Sequence, residues 1–279
     1  MKISCRSFCK LWVGVFCTTL SVFAQPRFDD PGFIQLTAPQ AAQVLSDFRG
    51  SRLSGDLCLQ FTITHQPRHG DSGTPIPGLL WASWSNTGPL LRVEIPAHDQ
   101  TPRLVFVATK STQDSKFWLS QNDQPARLLA PAALNQPLAP GLLLTPFDIA
   151  LPFTHWANTH YTSTERSRGR PVHFFKASNT TGEEPSTVEF GLDRVYNALV
   201  TATYHNSQNQ AVRLVQIEEF AKADEQWLIG SCSVRDETTR DVDLLRFTAA
   251  SLHLQIPPEF FEASTLRHHT PPPSNLKPL

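Results

Sequence analysis

This 279-residue chain carries little that is equipped for chemistry. It has no Gly-x-Ser-x-Gly elbow, no glycine-rich phosphate loop and no dinucleotide fingerprint, which removes the usual signatures of hydrolase, phosphoryl-transfer and nicotinamide sites. Charged residues make up 18%, and 24 Lys and Arg stand against 25 Asp and Glu, so there is no basic surplus to hold a nucleic-acid backbone. The histidine pairs His65/His69, His155/His160 and His268/His269 have no Cys or carboxylate cluster beside them, whereas zinc needs three or four converging ligands. Glu183-Glu184 and Glu218-Glu219 are adjacent residues that point to opposite faces of a strand, so neither forms an acid/base couple. No cofactor, metal or enzymatic activity is expected.

Long hydrophobic runs are also missing. Lys2, Arg6 and Lys10, the apolar run Leu11 to Phe16, and Val22 and Ala24 before Gln25 have the three parts of a secretory signal. A membrane helix needs about 20 continuous apolar residues, and Cys17-Thr18-Thr19 interrupts this run. Residues 1–24 are expected to be cleaved after Ala24, and bulky Phe16 makes Cys17 a poor site for lipid attachment. Cleavage leaves 21 basic side chains against 25 acidic ones and retains only Cys58 and Cys232. An exported pair permits one disulfide, worth about 5 kcal/mol for a loop of this length in the chain-entropy model; two buried free thiols are the equal alternative.

What is present is alternation. Residues 25–32 read as an extended leader. A helix is expected from Thr37, with Pro39 in its first turn, to Gly50, and Ala41, Val44, Leu45 and Phe48 fall on one face. Leu57, Leu59, Phe61 and Ile63 then alternate with Cys58, Gln60, Thr62 and Thr64. Leu91, Val93 and Ile95 alternate with Arg92 and Glu94, and Ala250, Leu252, Leu254 and Ile256 close the series, with short strand candidates at 79–84, 104–108 and 117–119. Many short strands with turns between them predict a large antiparallel sheet with one covered face. Between Ala130 and Ala157, Pro131, Pro137, Pro140, Pro146 and Pro152 forbid any long element. Thr145-Pro146-Phe147-Asp148 fits a capping box opening a short helix broken at Pro152. Residues 267–279, with Pro271-Pro272-Pro273, read as a Pro-rich mobile tail.

Gly70-Asp71-Ser72-Gly73 matches the string around a protease nucleophile, making a serine hydrolase using Ser72 a minor reading. Only 47 mature residues precede Ser72, Thr74 replaces the usual glycine, and a Gly, Ser and Pro cluster between strands is an ordinary loop. The 18 Phe and six Trp are the larger signal. They fill a core or line a cavity for acyl chains. The candidate lining is Leu59, Phe61 and Ile63 on the sheet with Phe147, Leu151, Phe153 and Trp156 on the proline-broken segment.

Several stretches in order carry a resemblance: Leu192-Asp193 with Asn197-Ala198-Leu199, Tyr204-His205-Asn206, Trp227-Leu228-Ile229, Thr238-Thr239-Arg240, and Pro257 through Leu266. The chain resembles the LolA-like outer-membrane lipoprotein-sorting family over residues 33–266. The resemblance implies a mainly β, α+β fold: an unclosed, curved antiparallel half-barrel with helices plugging its concave face. It implies a monomeric periplasmic carrier for the acyl chains of lipoproteins or related lipids, passing between an inner-membrane release complex and an outer-membrane acceptor. An envelope sensor or interaction module of the RseB type is the alternative. The family's arginine tying sheet to lid falls on Arg52, Arg92 or Arg103.

Overall fold

The computed structural model describes residues 33–86, 88–97, 103–109, 115–268 and 270–279. The expected signal (1–24), the leader (25–32) and His269 lie outside the described residues.

Helix α1 (Ala38–Gly50) begins where expected, with the Gln40 side chain accepting from both the N–H and the hydroxyl of Thr37 at 2.9 Å. Its stripe of Ala41, Val44, Leu45 and Phe48 packs on the sheet. Six strands then run outward as a meander: β1 (Asp56–Gln66), β2 (Ile76–Ser85), β3 (Gly88–Ile95), β4 (Leu104–Thr109), β5 (Lys116–Gln121) and β6 (Arg127–Leu128). A second meander comprises β7 (Thr159–Ser167), β8 (Arg170–Ser178), β9 (Thr187–Asp193), β10 (Leu199–His205), β11 (Ala211–Ala223), β12 (Gln226–Asp236) and β13 (Val242–Leu254). The two are joined in one antiparallel sheet by β1 against β13, from Asp56 opposite Leu254 to Gln66 opposite Val242. The strand order is β6-β5-β4-β3-β2-β1-β13-β12-β11-β10-β9-β8-β7, so β6 and β7 are edges that do not meet and the curved sheet stays open. Bulges in β7, β10, β11, β12 and β13 supply local bends.

This connectivity dictates where the core lies. Residues 129–158 must carry the chain from one edge of the sheet to the other, and they do so across the concave face. There they form a 3-10 turn at Pro131–Asn135, helix α2 (Pro146–Ala150) and a second 3-10 turn at Pro152–His155. Leu57, Leu59, Phe61 and Ile63 face this plug, all at most 7% exposed. Phe61 sits opposite Gly78, where an added Cβ would lie 2.2 Å from Cζ of the ring, so glycine is what admits the aromatic.

Two expectations change. The sheet is covered on both faces along β1–β4: Cys58, Leu79, Trp81, Val105 and Val107 form a second cluster under Phe261 and Leu266. Arg92 and Glu94, on what reads as the solvent face, are consequently 1% and 3% exposed. The uninterrupted apolar run Leu104–Ala108 is the sequence signal for a strand buried on two sides. Residues 267–279 are not a free tail. β14 (Lys277–Pro278) pairs with Ala249 and Ala250 of β13, beyond the point where β12 leaves it, and Asn275 accepts from the Ser251 hydroxyl at 2.7 Å. The compact unit accordingly runs from Phe33 to Leu279. Of the two readings left open for the cysteine pair the structure has the free thiols: Cys58 belongs to the convex cluster and Cys232 packs against the concave core, so they lie on opposite faces.

Candidate functional site

The plug is pinned by buried carboxylates. Asp243, fully buried in β13, accepts from the N–H groups of Leu143 and Leu144 at 2.7 Å through Oδ2, and from His65 Nδ1 at 2.8 Å through Oδ1. Asp148 closes the expected capping box with Thr145 and also accepts from Arg213 Nη1 at 2.7 Å. Burial pushes the Asp148 carboxyl above its ordinary value, opposed chiefly by the Arg213 charge. Burial likewise raises the Tyr204 phenol well above its usual range, with the adjoining Asp148 charge acting in the same direction.

Helix α2 ends at Leu151, whose φ of 49° is the left-handed conformation that turns the chain before Pro152. The following turn exposes carbonyls that have no helical partner. Arg49, from the last turn of α1, supplies them: Nε donates to Thr154 O and Nη2 to Trp156 O, both at 2.7 Å. Arg49 thus ties helix α1 to the plug, a contact distinct from the sheet-to-lid arginine expected at Arg52, Arg92 or Arg103. Arg92 instead grips the C-terminal segment on the convex face, Arg103 bonds Asp123 and Arg267 O, and Arg52 is exposed beyond α1.

Two clefts flank Pro152–Trp156. The larger, about 570 Å³, opens at one mouth of the sheet and is walled by Phe48, Trp84, Leu151, Leu199, Leu228 and Ile229, with Tyr196, Phe220 and Trp227 on its rim. The smaller, about 330 Å³, lies on the side of the β5 and β8–β9 ends, with Phe117, Phe147 and Trp156 beside Asn135, Asn158, Asn179 and Glu183. Leu151 of the expected lining thus belongs to the larger cleft, and Phe147 and Trp156 belong to the smaller. Leu59, Phe61, Ile63 and Phe153 line neither. Phe153 is fully buried, 5.5 Å from the Phe190 ring and 5.7 Å from that of Tyr204, as part of the aromatic core. Sequence reasoning missed Phe48, Leu199 and Leu228 as cleft residues, although Phe48 lies at the end of the α1 stripe and Trp84 is among the aromatics that offer a cavity lining.

Ser72 lies in the exposed β1–β2 loop. The structure does place a His–Asp pair, His65 and Asp243, below that loop, and Gly73 N donates to His65 O at 2.8 Å. Among the described residues Ser72 hydrogen-bonds to neither, and the second oxygen of Asp243 is committed to the plug.

The sequence matches no known family profile. It matches no curated protein. Solved structures match throughout. A DUF1329 family protein from Desulfovibrio piger is 11% identical with a TM-score of 0.69, over 82% of this chain and 98% of that one. A Vibrio parahaemolyticus domain, provisionally described as an outer membrane lipoprotein-sorting protein domain, is 10% identical with a TM-score of 0.69, over 83% of this chain and all of that one. The fold is LolA-like. At 10–11% identity the likeness is one of architecture, and the LolA-like sheet here carries its own cleft residues.

Proposed function

We propose that this chain binds the acyl chain of a lipoprotein or related lipid in the larger cleft, as a periplasmic carrier in lipoprotein sorting. The observation that carries the reading is a cleft of about 570 Å³ walled by Phe48, Leu151, Leu199, Leu228 and Ile229 at the open mouth of a LolA-like sheet. Its size falls within the roughly 300–1,000 Å³ range of small-ligand sites. About ten methylenes buried there contribute roughly 8 kcal/mol, enough for binding near micromolar without any covalent chemistry. The secretory signal expected at residues 1–24 and the LolA-like fold support a carrier in the envelope.

The test is lipid analysis of protein purified from the periplasm, by native mass spectrometry, together with titration of a fluorescent fatty-acid probe. Co-purifying acyl ligand, and probe binding that Ile229→Glu weakens about tenfold or more, is the expected result. Protein that is ligand-free in repeated preparations and blind to the probe overturns the carrier reading and leaves an interaction module.

A further inference from the structure

Among the described residues six large apolar side chains are exposed, and four of them gather around one opening. Tyr196 (61% exposed), Phe220 (38%) and Trp227 (59%) form the lip of the larger cleft, and Val195 (74%) stands beside Tyr196 in the β9–β10 turn. Single exposed apolar residues are ordinary on a protein surface, but a cluster at a cleft mouth marks an interaction site. The turn that presents two of them is held firmly. Asp193 Oδ1 accepts from the N–H groups of Val195 and Tyr196 at 2.9 and 3.0 Å, and Asn197 Nδ2 reaches back to Val44 O on α1 at 3.0 Å. With the backbone spent on that cap, the side chains of Val195 and Tyr196 are left pointing outward. Phe220 and Trp227 flank the tip of the β11–β12 hairpin on the other side of the opening.

The charges around this mouth do not cancel. At the hairpin tip Lys222 pairs with Glu225 and Lys277 with Asp224. Arg170 lies 5.4 Å from the Tyr196 ring and pairs with Asp193. Arg194, in the same turn as Val195, and Arg52, just past the end of α1, are exposed and form no ion pair among the described residues. Aromatic rings with a polar edge, set among cations, are the composition that seats at the headgroup level of a bilayer carrying anionic lipid. The four side chains also stand on two separate turns with a cleft between them. A deformable surface meets both at once, whereas a rigid partner would have to fill the cleft as well.

We infer that the mouth of the sheet docks on an anionic lipid surface, with Val195, Tyr196, Phe220 and Trp227 entering the headgroup layer and Arg52 and Arg194 on lipid phosphates. The cleft then opens directly against the leaflet, and an acyl chain passes between bilayer and protein without crossing water. The purpose of this docking rests on the acyl-binding reading of the cleft; its geometry does not.

The experiment is flotation of the mature chain with vesicles of phosphatidylcholine, with or without phosphatidylglycerol, in parallel with solution titration of the fatty-acid probe. Val195→Asp and Arg194→Glu are the informative variants, because both residues are exposed and neither lines the cleft. The expected result is flotation with the phosphatidylglycerol vesicles, reduced roughly tenfold by Arg194→Glu through the reversal of one charge at the surface, with further loss in Val195→Asp and unchanged probe affinity and thermal midpoint in both. No flotation, or flotation indifferent to phosphatidylglycerol and to both variants, overturns the docking. So does concentration-dependent dimerisation in sedimentation velocity that Val195→Asp abolishes, since the patch would then cover a second copy. Flotation with no probe binding upholds the docking and removes the acyl reading of the cleft, so the two failures are distinguishable.

Discussion

Arg92 holds its guanidinium 4.2 Å from the centre of the Phe260 ring and donates from Nη1 to the Phe260 carbonyl at 2.8 Å. The same side chain pairs with Glu94 at 2.8 Å and donates to Thr265 and to His268 O, so one buried cation fastens the segment after β13 to the convex face of β3. Arg92→Ala removes the buried cation that faces Glu94 together with its bonds to Phe260 O, Thr265 and His268 O, at a cost of about 3–5 kcal/mol. Urea unfolding measures it. The double variant Arg92→Met with Glu94→Met is expected to recover only part of that loss, because it leaves no uncompensated buried charge but still lacks the bonds to Phe260 O, Thr265 and His268 O.

Arg49 links α1 to the turn at Pro152–His155 through two carbonyls at 2.7 Å. Arg49→Ala strands the Thr154 carbonyl, at about 1–3 kcal/mol for a buried group left unsatisfied, while Trp156 O keeps the Thr159 hydroxyl at 2.7 Å. The stronger signature is local. Hydrogen exchange mapped by mass spectrometry is expected to rise for residues 150–160 well before it rises in β1 and β13.

Phe153→Glu is expected to unfold the protein, since the ring is fully buried against Phe190 and Tyr204. Leu151→Glu and Ile229→Glu sit on the half-buried wall of the larger cleft and are expected to keep the fold. Circular dichroism and probe titration separate the two outcomes: lost structure for the first, retained structure with about tenfold weaker probe binding for the others.

The Asp148 carboxyl titrates above its ordinary value because burial disfavours its charge more than Arg213 and Thr145 favour it. A folded-state value above the unfolded one means that the native form holds the proton longer, so this group's contribution falls as pH rises through the window between the two values. Asp148→Asn removes that slope. Unfolding free energy for the variant minus that of the wild type is therefore expected to climb with pH above the ordinary carboxylate range and then level off. A flat difference counts against the raised value.

Burial pushes both thiols up to about 12, Cys58 inside the convex cluster and Cys232 against the core. Thiolate is the reactive form. In native protein both cysteines are expected to resist a thiol-disulfide reagent at neutral pH and to react rapidly once unfolded, with an intact mass under non-reducing conditions that shows two free thiols.

The sheet was legible because alternation has only one structural reading: Leu57 to Ile63 and Leu91 to Ile95 face the core as their periodicity requires. The plug was legible from Thr145 to Pro152, where capping and proline chemistry are local. What periodicity cannot carry is which second surface comes to lie on a strand. Arg92 and Glu94 read as solvent-facing because nothing in β3 announces that Phe260 and Thr265, some 170 residues later, will cover them. Part of the cleft lining was illegible for the same reason. Leu59, Phe61 and Phe153 were chosen for being apolar, yet apolar residues at the centre of a well-packed face meet other side chains, and room for a guest remains only where elements end, as at Phe48, Leu199 and Leu228.

The pairing of β1 with β13 sets the order of assembly. His65 and Asp243 are 178 positions apart, so the central seam cannot zip until nearly the whole polypeptide is available, whereas every other neighbouring pair in the order forms within one hairpin-linked half. Closing that long loop is the slow entropic step. The two halves are thus expected to gather early as separate ladders, and a chain threaded through a membrane from its amino end stays without its seam until the last long strand arrives.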